Sequence, residues 1–163
     1  MNKYIIQKPI INNIRKNICN EMKNIDNIDL IYKNQINMLN YFYLNETCDH
    51  DKILKSEINK KINGYKNQDI NRNIYDEQLL ISFNDVIEKL VSCKLKCYYC
   101  KKNVLLLYKN VRDELQWTLD RINNDKCHSN ENTLIACLKC NIQRRRRDCE
   151  KFLFTKQLNI IKV

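Results

Sequence analysis

Four cysteines in two short pairs constrain this chain more than any other feature: Cys97-Tyr98-Tyr99-Cys100 and Cys137-Leu138-Lys139-Cys140. Four thiolates at this number and spacing make a tetrahedral zinc site. A small domain with a limited apolar core would take much of its folding free energy from such an ion. The zinc is therefore expected to be structural and closed, with all four positions filled by Cys97, Cys100, Cys137 and Cys140. A disulfide pairing is the weaker alternative. The chain has nine cysteines, an odd number, and its opening Met1-Asn-Lys-Tyr-Ile-Ile-Gln-Lys8 is broken by polar residues where a signal peptide would be apolar. No stretch is long enough to cross a membrane. A reducing intracellular compartment is expected, cytoplasm or nucleus and viral proteins included, with cysteine used for metal. Cys19, Cys48, Cys93, Cys127 and Cys149 then read as small buried or half-exposed residues.

Charge is unevenly placed. The net charge is +10, and residues 91–163 hold 16 Lys/Arg against 7 Asp/Glu, whereas residues 1–90 hold 13 against 12. The excess sits in the half that carries the cysteine pairs. A basic domain attracts polyanions through counterion release whatever their sequence, so nucleic acid is the expected partner. A merely soluble basic surface is the plain alternative. One Gly and one Pro argue against a loop-rich β sandwich or a glycine-rich nucleotide cradle. Asn, Ile, Lys and Tyr are abundant, which AT-rich coding explains without reference to function.

Residues 1–75 read as helical. Ile10, Ile11, Ile14 and Ile18 have helical spacing, as do Ile28, Ile31, Ile36 and Leu39 more loosely. Leu54, Ile58 and Ile62 repeat it, with Gly64 as a plausible stop. His50 between Asp49 and Asp51 reads as a solvated loop rather than a metal site. A clearer helix starts at Ser82, a cap with Asp85 as its acidic partner, and carries the stripe Phe83, Val86, Ile87, Leu90 and Val91. Val104–Tyr108 is a short β-like run. Leu115–Leu119 alternates as a strand ending at Asp120, 122–131 is a polar loop, and Thr133–Ala136 is a second strand. A helix is expected from Leu138, its exposed side carrying Arg144, Arg145, Arg146 and Arg147. Four successive arginines fan around a helix, so two at most should touch one strand of nucleic acid. Trp117 reads first as core under the zinc site, with base stacking by Trp117 or Tyr98–Tyr99 as the alternative.

Strand, loop, strand and helix, flanked by Cys-x-x-Cys pairs, resemble the HNH endonuclease family and its ββα-metal core. The segment Leu119-Asp-Arg-Ile-Asn-Asn-Asp-Lys-Cys-His-Ser-Asn-Glu-Asn-Thr-Leu-Ile-Ala-Cys-Leu-Lys-Cys-Asn141 carries the resemblance. It covers roughly residues 82–147 and is of the Asp-Arg-Ile type met in phage and viral members. The resemblance implies an α+β fold with a zinc-stapled ββα-metal domain at 82–163, behind a mostly helical segment at 1–81 whose role is open. It implies metal-dependent hydrolysis of phosphodiester bonds, with double-stranded DNA as the expected substrate and one Mg²⁺ or Mn²⁺ as the catalytic ion.

By position, Asp120 and Asn141 match the ligands of that divalent ion, and a hard cation prefers such oxygen donors. Asn132 matches the middle asparagine that fixes the loop against the core. The family's general base follows the acid, and that place holds Arg121, which stays protonated and cannot take a proton from water. Three outcomes remain. His128 may supply the base, water may be activated otherwise while Arg121 clamps phosphate, or activity may be lost. Cys127 stands where many relatives have a loop glycine. Two other classes stay open at this point: a zinc-stabilised nucleic-acid-binding module that cuts nothing, and an assembly protein that binds a partner or itself through its N-terminal helices.

Overall fold

The computed structural model describes residues 25–47 and 50–158. Within them the chain is mixed α+β, with five helices and one two-stranded sheet: α1 (Tyr32–Tyr43), α2 (Asp51–Asn71), α3 (Phe83–Ser92), β1 (Trp117–Arg121), β2 (Thr133–Cys137), α4 (Leu138–Arg144) and α5 (Cys149–Gln157). The helix expected around Ile10–Ile18, and Cys19, Cys48 and Asp49, lie outside the described residues.

α3 begins where Ser82 and Asp85 place it. The Ser82 hydroxyl accepts from the Asp85 amide and the Asp85 carboxylate accepts from the Ser82 amide, a reciprocal capping box. Its buried stripe is Val86, Ile87 and Leu90. In α1, Met38, Leu39 and Phe42 face inward, while Ile28 and Ile31 lie before the helix and are exposed. α2 does not stop at Gly64. It runs seven residues further and ends at a left-handed Asn73, φ 56°. A lone glycine costs a helix only about 1 kcal/mol, which the buried residues on both sides of it, Leu54, Ile58, Tyr65 and Asp69, offset.

The run Val104–Tyr108 is buried but is not a strand. Its backbone hydrogen bonds go elsewhere. The buried side chain of Gln35 accepts from the amides of Leu106 and Leu107 and donates to the Leu107 carbonyl. Only Leu105 pairs with the sheet region, in an isolated parallel bridge to Gln116. β1 and β2 are antiparallel, with Trp117 opposite Cys137 and Arg121 opposite Thr133.

All five residues of β1 are buried. Its outer edge has no third strand: one backbone contact from Leu105 and the side chains of Lys61, Tyr65 and Asn141 satisfy it. The Trp117 carbonyl accepts from Lys61 Nζ and its amide donates to the Leu105 carbonyl. The Leu119 amide donates to Tyr65 Oη at 2.9 Å and its carbonyl accepts from Asn141 Nδ2. The Arg121 guanidinium reaches Asp69. The spacing explains the match. Four helical residues rise about 6 Å, and two strand residues about 6.6 Å. Lys61, Tyr65 and Asp69 of α2 therefore meet Trp117, Leu119 and Arg121 of β1 in step. The buried residues of α1 and α2 join those of α3, the sheet and α5 in one core, from Ile25 to Phe152.

Beyond α4 the structure departs from the expected arginine-bearing helix. α4 ends at Arg144, and Arg145 turns the chain with φ 55°. A separate helix, α5, then starts behind the Asp148 cap. Arg144 is fully buried, not on an exposed face, because its guanidinium is drawn inward by the Asp120 carboxylate and by the carbonyls of Arg121 and Ile122. No helix among the described residues is long and apolar enough to cross a membrane.

Candidate metal centre and basic cleft

The first cysteine pair sits in a tight turn after α3. The Cys97 amide donates to the Lys102 carbonyl, the Lys101 amide returns to Cys97, and Lys101 takes φ 58°. The Tyr98 amide donates to the Ile135 carbonyl and so ties this turn to β2. The second pair spans the start of α4, where Cys137 is the N-cap and its Sγ accepts from the Cys140 amide. The sulfur atoms of Cys97, Cys100, Cys137 and Cys140 all lie within 4.8 Å of one another, and Cys100 and Cys137 are 3.9 Å apart. Tetrahedral zinc at about 2.3 Å from each sulfur needs S···S distances near 3.8 Å. These thiols can hold a metal ion, and the set is compatible with structural zinc. The Cys97 thiol is lowered to about 5 by the hydrogen bond from Cys137, while the Cys137 thiol is pushed up by the same contact. Cys127, Cys93 and Cys149 are not part of the cluster. Cys149 instead packs against Tyr99 Oη at 3.5 Å.

Beside the cluster, a cleft of about 580 Å³ opens between α2, β1 and α4. Its walls include Asp120, Arg121, His128 and Asn141, with Arg145 and Arg146 from the turn after α4 and Arg72 from the end of α2. Asp120 ends the inner face of β1. Its Oδ2 accepts from Tyr99 Oη at 2.5 Å, and its Oδ1 accepts from Arg144 Nη1 at 3.2 Å. Burial raises the Asp120 carboxyl above its ordinary value, opposed by the Tyr99 hydroxyl and by Arg144 and Arg121. Asn141 uses its Nδ2 on Thr118 Oγ1 and the Leu119 carbonyl. Its Oδ1 has no hydrogen-bond partner among the described residues.

Asn132 holds the 122–131 loop shut. Its Oδ1 accepts from the Asn123 amide, and its Nδ2 donates to the carbonyls of Asn123 and Cys127. Arg121 is buried and points to Asp69 at 3.1 Å. His128 is buried against the same carboxylate, Nδ1 to Oδ1 at 2.8 Å and backbone amide to Oδ2 at 2.7 Å. Burial lowers the His128 imidazole to about 4, with Asp69 opposing, so it is neutral at physiological pH. Arg145, Arg146 and Arg147 are exposed, and Arg147 lies over the Phe152 ring instead of lining the cleft. Trp117 is fully buried beneath Lys61 and not available for stacking. Tyr99 is buried likewise, and Tyr98 half-exposed.

Sequence reasoning missed Asp69, Tyr65 and Arg72, and offered Tyr99 for base stacking where the structure bonds it to Asp120. A signal for the first two is present. Leu54, Ile58, Tyr65 and Asp69 share one helical stripe, and an acid that continues a buried stripe needs a partner. No family model, no curated protein and no solved structure matches the chain.

Proposed function

We propose that this chain is a metal-dependent endonuclease of the HNH type that hydrolyses phosphodiester bonds in DNA. The observation that carries the reading is the cleft that brings Asp120, at the end of β1, beside Asn141, directly after the last cysteine of α4, with Arg72, Arg145 and Arg146 on its rim. A strand, loop, strand and helix stapled by a four-cysteine zinc site is the scaffold such a pair requires. The donor set suits a hard cation. Asp120 retains acceptor capacity beyond its two hydrogen bonds, Asn141 has a free carbonyl oxygen, and Mg²⁺ or Mn²⁺ keeps several waters of its own. A divalent ion held there would polarise the scissile phosphate and stabilise the leaving oxygen.

The remaining groups act directly. Arg72, Arg145 and Arg146 take phosphates, which positions the backbone without reading sequence. Asn132 keeps the loop in register. His128 takes the proton from the attacking water, because Arg121 in the position next to the acid cannot. Arg121 and Arg144 are buried in ion pairs, so neither serves as a surface phosphate clamp.

One observation favours the second reading, a zinc-stapled DNA-binding module. Arg144 already sets a cation against Asp120, and that cation disfavours a divalent ion at the same oxygen. Plasmid nicking by zinc-loaded protein, with and without Mg²⁺ or Mn²⁺, separates the two. Metal-dependent nicking lost in Asp120→Ala supports the nuclease. Folded protein that retards DNA and nicks nothing overturns it in favour of the module.

A further inference from the structure

We propose that Asp69, carried by α2 and so by the N-terminal half, is a positioning residue of the cleft that fixes the His128 tautomer with Nε2 free to accept a proton. This rests on the nuclease reading above. Asp69 is fully buried, and three donors converge on it: the His128 amide at 2.7 Å, His128 Nδ1 at 2.8 Å and Arg121 Nη1 at 3.1 Å. Two of these donors, a backbone amide and a guanidinium, can only donate, and one engages each oxygen, so both oxygens of Asp69 act as acceptors. Nδ1 at that distance must therefore carry the proton. In a neutral imidazole the lone pair then lies on Nε2.

The ring cannot turn to undo this. It stacks on Tyr65 with centroids 4.6 Å apart, and Tyr65 is itself held by the Leu119 amide. The His128 carbonyl accepts from the Ile81 amide at 2.8 Å, which pins the loop from a third side. Nε2 has no hydrogen-bond partner among the described residues, and His128 lines the cleft with Asp120 and Asn141. Asp69 also bridges His128 to Arg121, so the imidazole stands one carboxylate away from the residue that follows the acid. The charged and titratable groups facing it are Asp69, Tyr65 and Arg72 from α2 and Arg121 from β1.

In the step this supports, Nε2 takes one proton from the water whose oxygen bonds to phosphorus. The bond from phosphorus to the leaving sugar oxygen breaks, and that oxygen takes a proton from solvent. The imidazolium formed is stabilised by Asp69 and returns its proton to solvent. Asp69 touches neither substrate nor ion.

The test uses the full-length, zinc-loaded protein and its Asp69→Asn variant. Asparagine has one acceptor oxygen where the carboxylate has two, so it cannot accept from Arg121, the His128 amide and Nδ1 together, and the imidazolium loses its counter-charge. Plasmid nicking with Mg²⁺ or Mn²⁺ should fall roughly 100-fold or more, the range a general base supplies. The deficit should shrink as pH rises, because hydroxide replaces the missing base, while DNA retardation is unchanged. A second measurement needs no variant at Asp69. The chain has only two histidines, so ¹⁵N-histidine NMR, assigned with His50→Asn, reads the His128 tautomer directly. A proton on Nδ1 is expected. A proton on Nε2 in the parent overturns the proposal even if Asp69→Asn fails to fold, and so does a folded Asp69→Asn that nicks at the parental rate. A parent that binds DNA and nicks with neither metal overturns the nuclease reading itself, and the base with it.

Discussion

Arg144→Met removes a guanidinium with no exposed surface and three acceptors. What remains is a buried Asp120 carboxylate with only the Tyr99 hydroxyl, plus the Arg121 and Ile122 carbonyls stripped of a donor at 2.7 and 2.8 Å. Removing one partner of a buried ion pair costs about 3–5 kcal/mol, because the other charge stays behind uncompensated. Domains have only about 5–15 kcal/mol to lose. With a urea slope of about 1–3 kcal/mol per molar, the midpoint should fall by roughly 1–5 M. Trp117, the one tryptophan and fully buried, reports the transition. The double variant Asp120→Asn/Arg144→Met separates charge from shape. Asparagine still accepts from Tyr99 but leaves no buried charge, so the double variant should recover at least about 1.5 kcal/mol of the sum of the single losses, within the range neighbouring groups couple. A midpoint shift below about 0.3 M for Arg144→Met, or strict additivity, would refute the pairing as the reason Arg144 turns inward.

Two further outcomes concern the cysteine cluster and His128. Exhaustive chelation should unfold the protein, and thiol modification should release one zinc per chain. A chain that keeps its Trp117 signal after complete chelation would remove zinc from the account. The second concerns acid. His128 is lowered by burial to about 4, below its unfolded value near 6.5. Between those values the unfolded chain binds a proton that the folded chain refuses, so stability is full above about 6.5 and is lost as pH falls toward 4, by about 2–3 kcal/mol. Urea midpoints of the parent and His128→Gln across that window check this: the variant should flatten the slope, and an equal slope would assign the acid loss to other groups.

What the sequence makes legible is local. The four cysteines act through two short turns, and the Ser82–Asp85 box closes within four residues, so spacing alone locates both. Alternation from Leu115 locates β1 to within two residues, and the β-branched and apolar run from Thr133 locates β2 to within one. Failures arise where a distant side chain decides. Val104–Tyr108 has strand composition, yet Gln35, more than seventy residues away, takes its amides. Gly64 reads as a stop, yet the stripe it interrupts is buried on both sides. Arg144 reads as one of four equivalent exposed arginines, and only the reversal at Arg145 and the nearness of Asp120 distinguish it. Asp69 continues a buried stripe and so needs a partner, but nothing local says that the partner lies 59 residues on.

These distant contacts share a cause in the sheet itself. Two strands alone are marginal in water, and β1 has an unpaired edge that must be satisfied inside the protein. The cysteine cluster secures one side, through the Tyr98 amide on β2 and the Cys137 cap of α4. The other side is secured by α2, whose rise keeps step with β1 for three contacts and no more. Lys61 and Tyr65 reach β1 through the Trp117 carbonyl and the Leu119 amide, which any strand of that length offers, while Lys61 also donates to Gln116 Oε1 and Tyr65 stacks on the His128 ring. Asp69 is the third contact and meets side chains, Arg121 and His128, which no strand requires for stability. A hydrophobic residue there would bury as well without demanding two charged or titratable neighbours. The stripe thus supports the edge of β1 at Lys61 and Tyr65 and holds the cleft-lining His128 at Tyr65 and Asp69, so α2 shapes the cleft as well as supporting the sheet.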